Sequence, residues 1–253
     1  MRVLFVSGEV APFTEETEIA TLVRRLPDMV HETHGVETRI MMPRYGVVNE
    51  RRNRLHEVIR LSSNDIPVGV QREQLNVKVA SIPGIRLQVY FMDSNRLFKR
   101  KGIFTDRTGK HFEDNPERAA FFARAVIETI RNLGWSPDVV HAFGWMSGFV
   151  PMLLRRTFAN DPLFANSKVV FTPFPVDFDG AVTGDDFERF GFEPDERVVS
   201  QDLNVAGRLF ADAIILPASM EMETAAERYS ADELANVELT MQVYERVQAS
   251  VPA

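Results

Sequence analysis

Hydrophobic and polar positions alternate with two different periods along this chain. Residues 2–7 form a short β-branched and aromatic run that ends at Gly8, as a first buried parallel strand does. Ile19, Leu22, Val23, Leu26, Met29 and Val30 then recur at helical spacing and predict a helix over residues 18–32, after which residues 36–42 return to a strand pattern. The apolar runs 77–82 and 87–92 flank Pro83-Gly84 and predict a hairpin. Residues 95–114 are basic, then polar, with Gly102 and Gly109, and predict a long surface loop. Residues 115–133 predict a strong amphipathic helix, opened by Asp114 or Asn115 with Pro116 near its first position and closed by Gly134. Short strands follow at 138–142, 168–172 and 212–216, separated by helical stretches at 147–158 and 201–210. Alternation on this scale predicts an α/β fold: a doubly wound, mostly parallel, Rossmann-like sheet over residues 1–220. Ser230-Ala-Asp-Glu233 has capping-box spacing and predicts a helix to about residue 248. Its stripe of Leu234, Val237, Met241, Tyr244 and Val247 requires burial, so residues 221–253 are expected to pack back onto the domain.

Composition narrows the chemistry. The 253 residues are 45% apolar and 26% charged, which suits a globular chain with a sizeable core. The absence of cysteine removes disulfides, thiolate catalysis and Cys-ligated metal sites. No apolar run approaches the length of a membrane helix, and Glu9 interrupts the first apolar stretch, so a cytoplasmic location is expected, with neither a membrane nor a nucleic acid as partner. The net charge of −7 is lopsided, because residues 177–253 hold 17 acidic side chains against 5 basic ones. Asp177, Asp179, Asp185 and Asp186 lack the spacing of a calcium loop, and His31 and His34 have no evident third ligand, so no metal is expected. Arg96, Lys99, Arg100 and Lys101, with Phe98 and Phe104 nearby, suit either a solvated loop or contact with an anion or a glucan. Neither a dinucleotide fingerprint nor a P-loop occurs, and no cofactor is implied.

Five collinear stretches carry a resemblance. They are Val3-Leu-Phe-Val-Ser-Gly-Glu-Val-Ala-Pro-Phe13, Met42-Pro-Arg-Tyr-Gly46, Val89-Tyr-Phe-Met-Asp93, Asp114-Asn-Pro-Glu-Arg-Ala-Ala-Phe-Phe122 and Leu133-Gly-Trp-Ser-Pro-Asp-Val-Val-His141. Together they resemble the N-terminal half of bacterial glycogen and starch synthases, retaining glucosyltransferases that use ADP-glucose. Weaker similarity continues through Trp145, Phe171-Thr172 and Ala211-Asp212 to about Ser219. The resemblance implies one half of a GT-B fold, whose second half carries most of the nucleotide contacts. The stretch from Asn49 to His56 resembles a short, single-domain branch of that family. A lone half of this kind would leave apolar surface uncovered, and a homodimer is expected on that ground.

At the positions where the family needs chemistry, this chain differs. The family's first loop resembles Lys-Thr-Gly-Gly-Leu, in which glycines admit a phosphate to backbone amides at a helix N-terminus and lysine adds a point charge. Here the aligned residues are Glu15, Glu16, Thr17, Glu18 and Ile19, three carboxylates that repel a diphosphate or simply solvate a helix start. Where the family resembles His-x-His-Asp-Trp, the chain reads His141-Ala-Phe143-Gly144-Trp145; where the family resembles Phe-Thr-x-His-Asn, it reads Phe171-Thr172-Pro173-Phe174-Pro175. Glu15, Gly144 and Phe174 therefore mark degenerate catalytic positions. Glu9, Tyr90, Asp93, Arg118, His141 and Trp145 are the remnant cleft residues that the resemblance offers for an unidentified small-molecule or glucan ligand. The expected function is a binding or regulatory module that has lost the transferase reaction. The alternative is a transferase active only when a second chain supplies the nucleotide-binding half.

Overall fold

A computed structural model describes residues 1–85, 87–176, 180–221 and 226–250. The chain opens with β1 (Arg2–Ser7), α1 (Glu18–His34) and β2 (Glu37–Pro43). It continues with β3 (His56–Glu57), β4 (Asn64–Val68), β5 (Gln71–Ser81), β6 (Gln88–Asp93) and α2 (Asn115–Leu133). The second half adds β7 (Val139–Phe143), α3 (Phe149–Arg156), β8 (Lys168–Thr172), α4 (Gly184–Phe190) and α5 (Leu203–Leu209). It finishes with β9 (Ala213–Leu216), β10 (Glu227–Arg228) and α6 (Glu233–Ala249).

Among the described residues these strands build one sheet in the order β10-β9-β8-β7-β1-β2-β6-β5-β3, with β4 paired to β5. Pairing is parallel from β10 through β6 and antiparallel beyond it, so the fold is the predicted doubly wound α/β type. The central strands are apolar on both faces, and Val3, Phe5, Val139, Val140, Val169 and Val170 are fully buried, as strands covered by helices on both sides must be. The chain runs from β1 to β2 on one side and returns to β7 on the other. The boundary between β1 and β7 is thus the topological switch point, where a crevice opens beyond the carboxyl ends of the strands.

Three local expectations need correction. The segment 95–114 is irregular but not merely superficial: Leu97 and Phe98 are fully buried, and Arg100 is paired with Asp114. That pairing takes the Asp114 side chain away from capping α2, which nevertheless begins with Pro116 in its first turn and ends at Gly134 in the left-handed conformation. At α6 the cap is Asp232 rather than Ser230: its carboxylate accepts from the Leu234 and Ala235 amides at 2.9 and 3.1 Å. Leu234, in the first turn, faces outward and is 63% exposed, whereas Val237, Met241, Tyr244 and Val247 are buried as the stripe requires. The helix α6 lies against α1, β8 and β9.

Candidate functional site

The crevice is assembled from the ends of β1, β7 and β8 and from the start of α1. After β1 the chain turns sharply, because the Ser7 hydroxyl donates to the Glu9 carbonyl at 2.7 Å and accepts from the Glu9 amide at 3.1 Å. A Cβ on Gly8 would come within 2.8 Å of Met146 Cβ, so this turn sits directly on the segment that follows β7. Thr17 caps α1: its hydroxyl accepts from the Ala20 amide at 3.1 Å and donates to Glu9 Oε2 at 2.9 Å. One side chain thereby fixes both the helix start and the Glu9 carboxylate. Beyond β7, Gly144 has φ +67°, and its amide donates to the Thr172 carbonyl at 2.9 Å. Beyond β8, Asn204 from α5 holds Phe174 in place, accepting from its amide at 3.3 Å and donating to its carbonyl at 2.9 Å.

These pieces enclose a cavity of about 500 Å³ whose lining includes Glu9, Glu18, Gly144, Trp145 and Phe174. A second compartment of about 610 Å³, lined in part by Glu9, Glu15, Phe104, Lys101 and His111, adjoins it. Their combined size is ample for a small organic ligand. Burial raises the Glu9 carboxyl above its ordinary value; the Thr17 hydrogen bond opposes that shift and the Glu15 charge adds to it.

Of the six remnant cleft residues, the structure brings Glu9 and Trp145 to the cavity and holds the other four elsewhere. His141 is fully buried, hydrogen-bonded through Nδ1 to the Tyr244 hydroxyl at 2.7 Å and through Nε2 to Thr172 Oγ1 at 2.9 Å. Burial pushes its imidazole well below the ordinary histidine range, so it is neutral and fastens α6 to β7 and β8. Arg118, also fully buried, donates from Nε to the Leu97 carbonyl at 2.9 Å and from Nη1 to Asn115 Oδ1 at 2.6 Å, holding down the segment before α2. Asp93 pairs with Lys78 at 2.8 Å, and the Tyr90 hydroxyl accepts from Arg39 at 2.7 Å. The physical reason is common to all four: side chains that point into the sheet or under a loop need internal partners, and each has at least one, although Arg118 Nη2 and Asp93 Oδ1 are buried without a hydrogen bond. Glu15, Gly144 and Phe174, the positions expected to be degenerate, all face the crevice. His111 is a cavity residue that sequence reasoning did not find, since it lies in an irregular segment without periodicity, whereas Phe104 and Lys101 of the basic and aromatic cluster do reach the cavity.

Several of the other chemical candidates are engaged in structure, whereas Lys101 of the basic cluster lines the second compartment. Arg96 spans Glu73 and Glu117 at 2.7 and 2.6 Å. Asp186 closes a capping box with Thr183 at α4 and pairs with Arg189, while Asp177 and Asp179 lie outside the described residues. The His31 ring meets the Val36 carbonyl at 2.8 Å and the His34 ring meets Glu238 at 3.3 Å, so each is engaged separately. Among the described residues no group of three metal-ligating side chains occurs, and no helix is long and apolar enough to cross a membrane.

The molecule is thus a doubly wound α/β domain with a ligand-sized crevice at its switch point, the place where folds of this class hold their ligands. Residues 2–242 match the starch synthase catalytic domain family. The chain is 41% identical over 172 residues to a glycogen synthase of Chlorobium limicola, covering 68% of this chain and 35% of that protein. It is 37% identical over 189 residues to a glycogen synthase of Chlorobaculum tepidum, covering 74% and 38%. Among solved structures, the catalytic domain of Starch Synthase IV from Arabidopsis thaliana, bound to ADP and acarbose, superposes with a TM-score of 0.75 at 16% identity, over 96% of this chain and 50% of that one. That likeness shows the fold, half of a GT-B arrangement. The chain belongs to the starch synthase catalytic domain family, and it spans about a third of the length of the curated relatives it matches.

Proposed function

We propose that this glycogen and starch synthase-like domain does not transfer glucose from ADP-glucose and serves instead as a binding or regulatory module. The observation that carries the proposal is the electrostatic character of the crevice rim. Glu15, Glu16 and Glu18 are exposed at the start of α1, and among the described residues no Lys or Arg lies within 4.0 Å of their carboxylates or of Glu9. A nucleotide diphosphate entering there meets like charge in place of backbone amides and a cation. The wall adds no oriented polar group where the family has them, because Phe174 neither donates nor accepts through its side chain and Gly144 has none. Transfer with retention requires preorganised groups where charge develops, and losing one such group typically costs about 100-fold to 1,000-fold in rate.

Incubation of the protein with radiolabelled ADP-glucose and glycogen tests the reading. The expected result is incorporation at the level of a protein-free control. Protein-dependent incorporation well above that level would overturn it and favour the chain acting as one half of a working transferase.

A further inference from the structure

The crevice combines acidic and aromatic surface. Phe104 and Trp145 meet edge to face with ring centroids 4.9 Å apart, and Phe174 contributes a third aromatic side chain to the same cavity. Glu9 lines both compartments, with Glu18 in the first, and Glu15 and Asp106 in the second. Among the described lining residues the opposing charge is Lys101, in the second compartment, and His111, which borders both, is the other basic group. Thr17 occupies Glu9 Oε2, and among the described residues nothing donates to Glu9 Oε1. A partly buried carboxylate with one oxygen unclaimed, and its charge already opposed by burial and by Glu15, is stabilised by an incoming cation. Aromatic faces attract the same kind of group through their quadrupoles, more strongly where water is excluded. A neutral sugar hydroxyl supplies a hydrogen-bond donor but leaves the excess negative charge in place, and an anion adds to it.

We propose that this crevice binds an organic ammonium ion, a primary amine on an aryl or alkyl body, with its charge at Glu9 and its body against Phe104, Trp145 and Phe174. The proposal rests on the reading that the domain does not take the anionic sugar donor at this place. The 500 Å³ compartment suits a molecule with one ring and a short chain.

Calorimetric titration with 2-phenylethylammonium chloride tests it, alongside 3-phenylpropanoate as an anion of similar shape, maltotriose, and ADP-glucose. The expected result is saturable binding of the amine with Kd of about 1 mM or tighter, no binding of the propanoate, and weakening of the amine by added salt. Glu9→Gln retains an oxygen to accept from Thr17 while removing the charge, and is expected to weaken the amine about tenfold; a thermal melt confirms that this variant is folded. Absence of amine binding at about 10 mM, equal binding of the propanoate or maltotriose, or an unchanged Kd in folded Glu9→Gln would overturn the proposal. If the amine fails and ADP-glucose also fails to bind, only this inference falls. If ADP-glucose binds in its place, the reading beneath it falls as well.

Discussion

The inner ends of the motif stretches and the rim of the crevice place their residues in different surroundings. His141, Arg118, Asp93 and Tyr90 match their motifs and lie in the interior, each with partners at hydrogen-bond distance. Glu15, Gly144 and Phe174, which the sequence reading takes as departures from the motifs, all line the crevice. The difference separates two demands on a sequence. A buried polar group is held by the cost of leaving its partner unsatisfied, whatever the protein does. A crevice residue is held by chemistry alone, and a changed ligand leaves the scaffold intact. Similarity to a family is therefore evidence about the scaffold first and about the reaction only where the crevice residues agree.

The largest effect is expected at Arg118. Truncation to Ala leaves a cavity and orphans the Leu97 carbonyl, and urea denaturation should show a loss of about 3 to 5 kcal/mol. Replacement by Met, which fills the space without a charge, should recover a substantial part of that loss. Gly144→Asp reinstates the family's residue type on a backbone at φ +67°, with its Cβ 3.0 Å from Ile19 Cδ1; a loss of about 1 to 3 kcal/mol is expected by the same measurement. An unperturbed Gly144→Asp would show that the rim can still accommodate the family's side chain.

Tyr244→Phe removes the hydroxyl paired with His141 Nδ1 and should cost about 1 to 3 kcal/mol. The same network sets a pH dependence. Folded His141 has a depressed pKa, so below about 6.5 the unfolded chain binds the extra proton first. Its contribution is fully present above that pH and is lost as pH falls, by up to about 1.4 kcal/mol per pH unit until the folded imidazole also titrates. Stability curves of wild type and a folded His141→Gln variant between pH 7 and pH 5 measure the difference; parallel curves would remove His141 from the account. The smallest effect is expected at the surface. Arg25 and Glu233 meet at 3.1 Å with both side chains about half exposed, and Arg25→Ala should change stability by roughly 0.5 kcal/mol or less.

Periodicity located the strong elements because burial on a sheet or a helix leaves a periodic trace. The segments predicted at 2–7, 115–133 and 168–172 coincide with β1, α2 and β8. The short elements escaped. Strands β3 and β4 sit at the antiparallel end of the sheet, where residues such as Arg72 and Glu57 face solvent and dilute the alternation. For α4 a signal existed in Thr183 and Asp186 at capping-box spacing, but only seven residues follow the cap. The crevice was half legible. Its rim could be read position by position from the resemblance, whereas the partners of His141 and Arg118 could not, because Tyr244 is 103 positions from His141 and Leu97 is 21 from Arg118. Pairings of that range are decided by how the sheet is wound, which local pattern does not encode.

On the proposed function, the crevice has lost its complementarity to a nucleotide sugar while the scaffold around it persists. Titration of ADP-glucose into the wild-type protein, followed by calorimetry at low ionic strength, addresses it most directly. The account predicts no saturable binding tighter than about 1 mM. Binding in the micromolar range, weakened by substitutions at Trp145 or Phe174 that leave the protein folded, would contradict it.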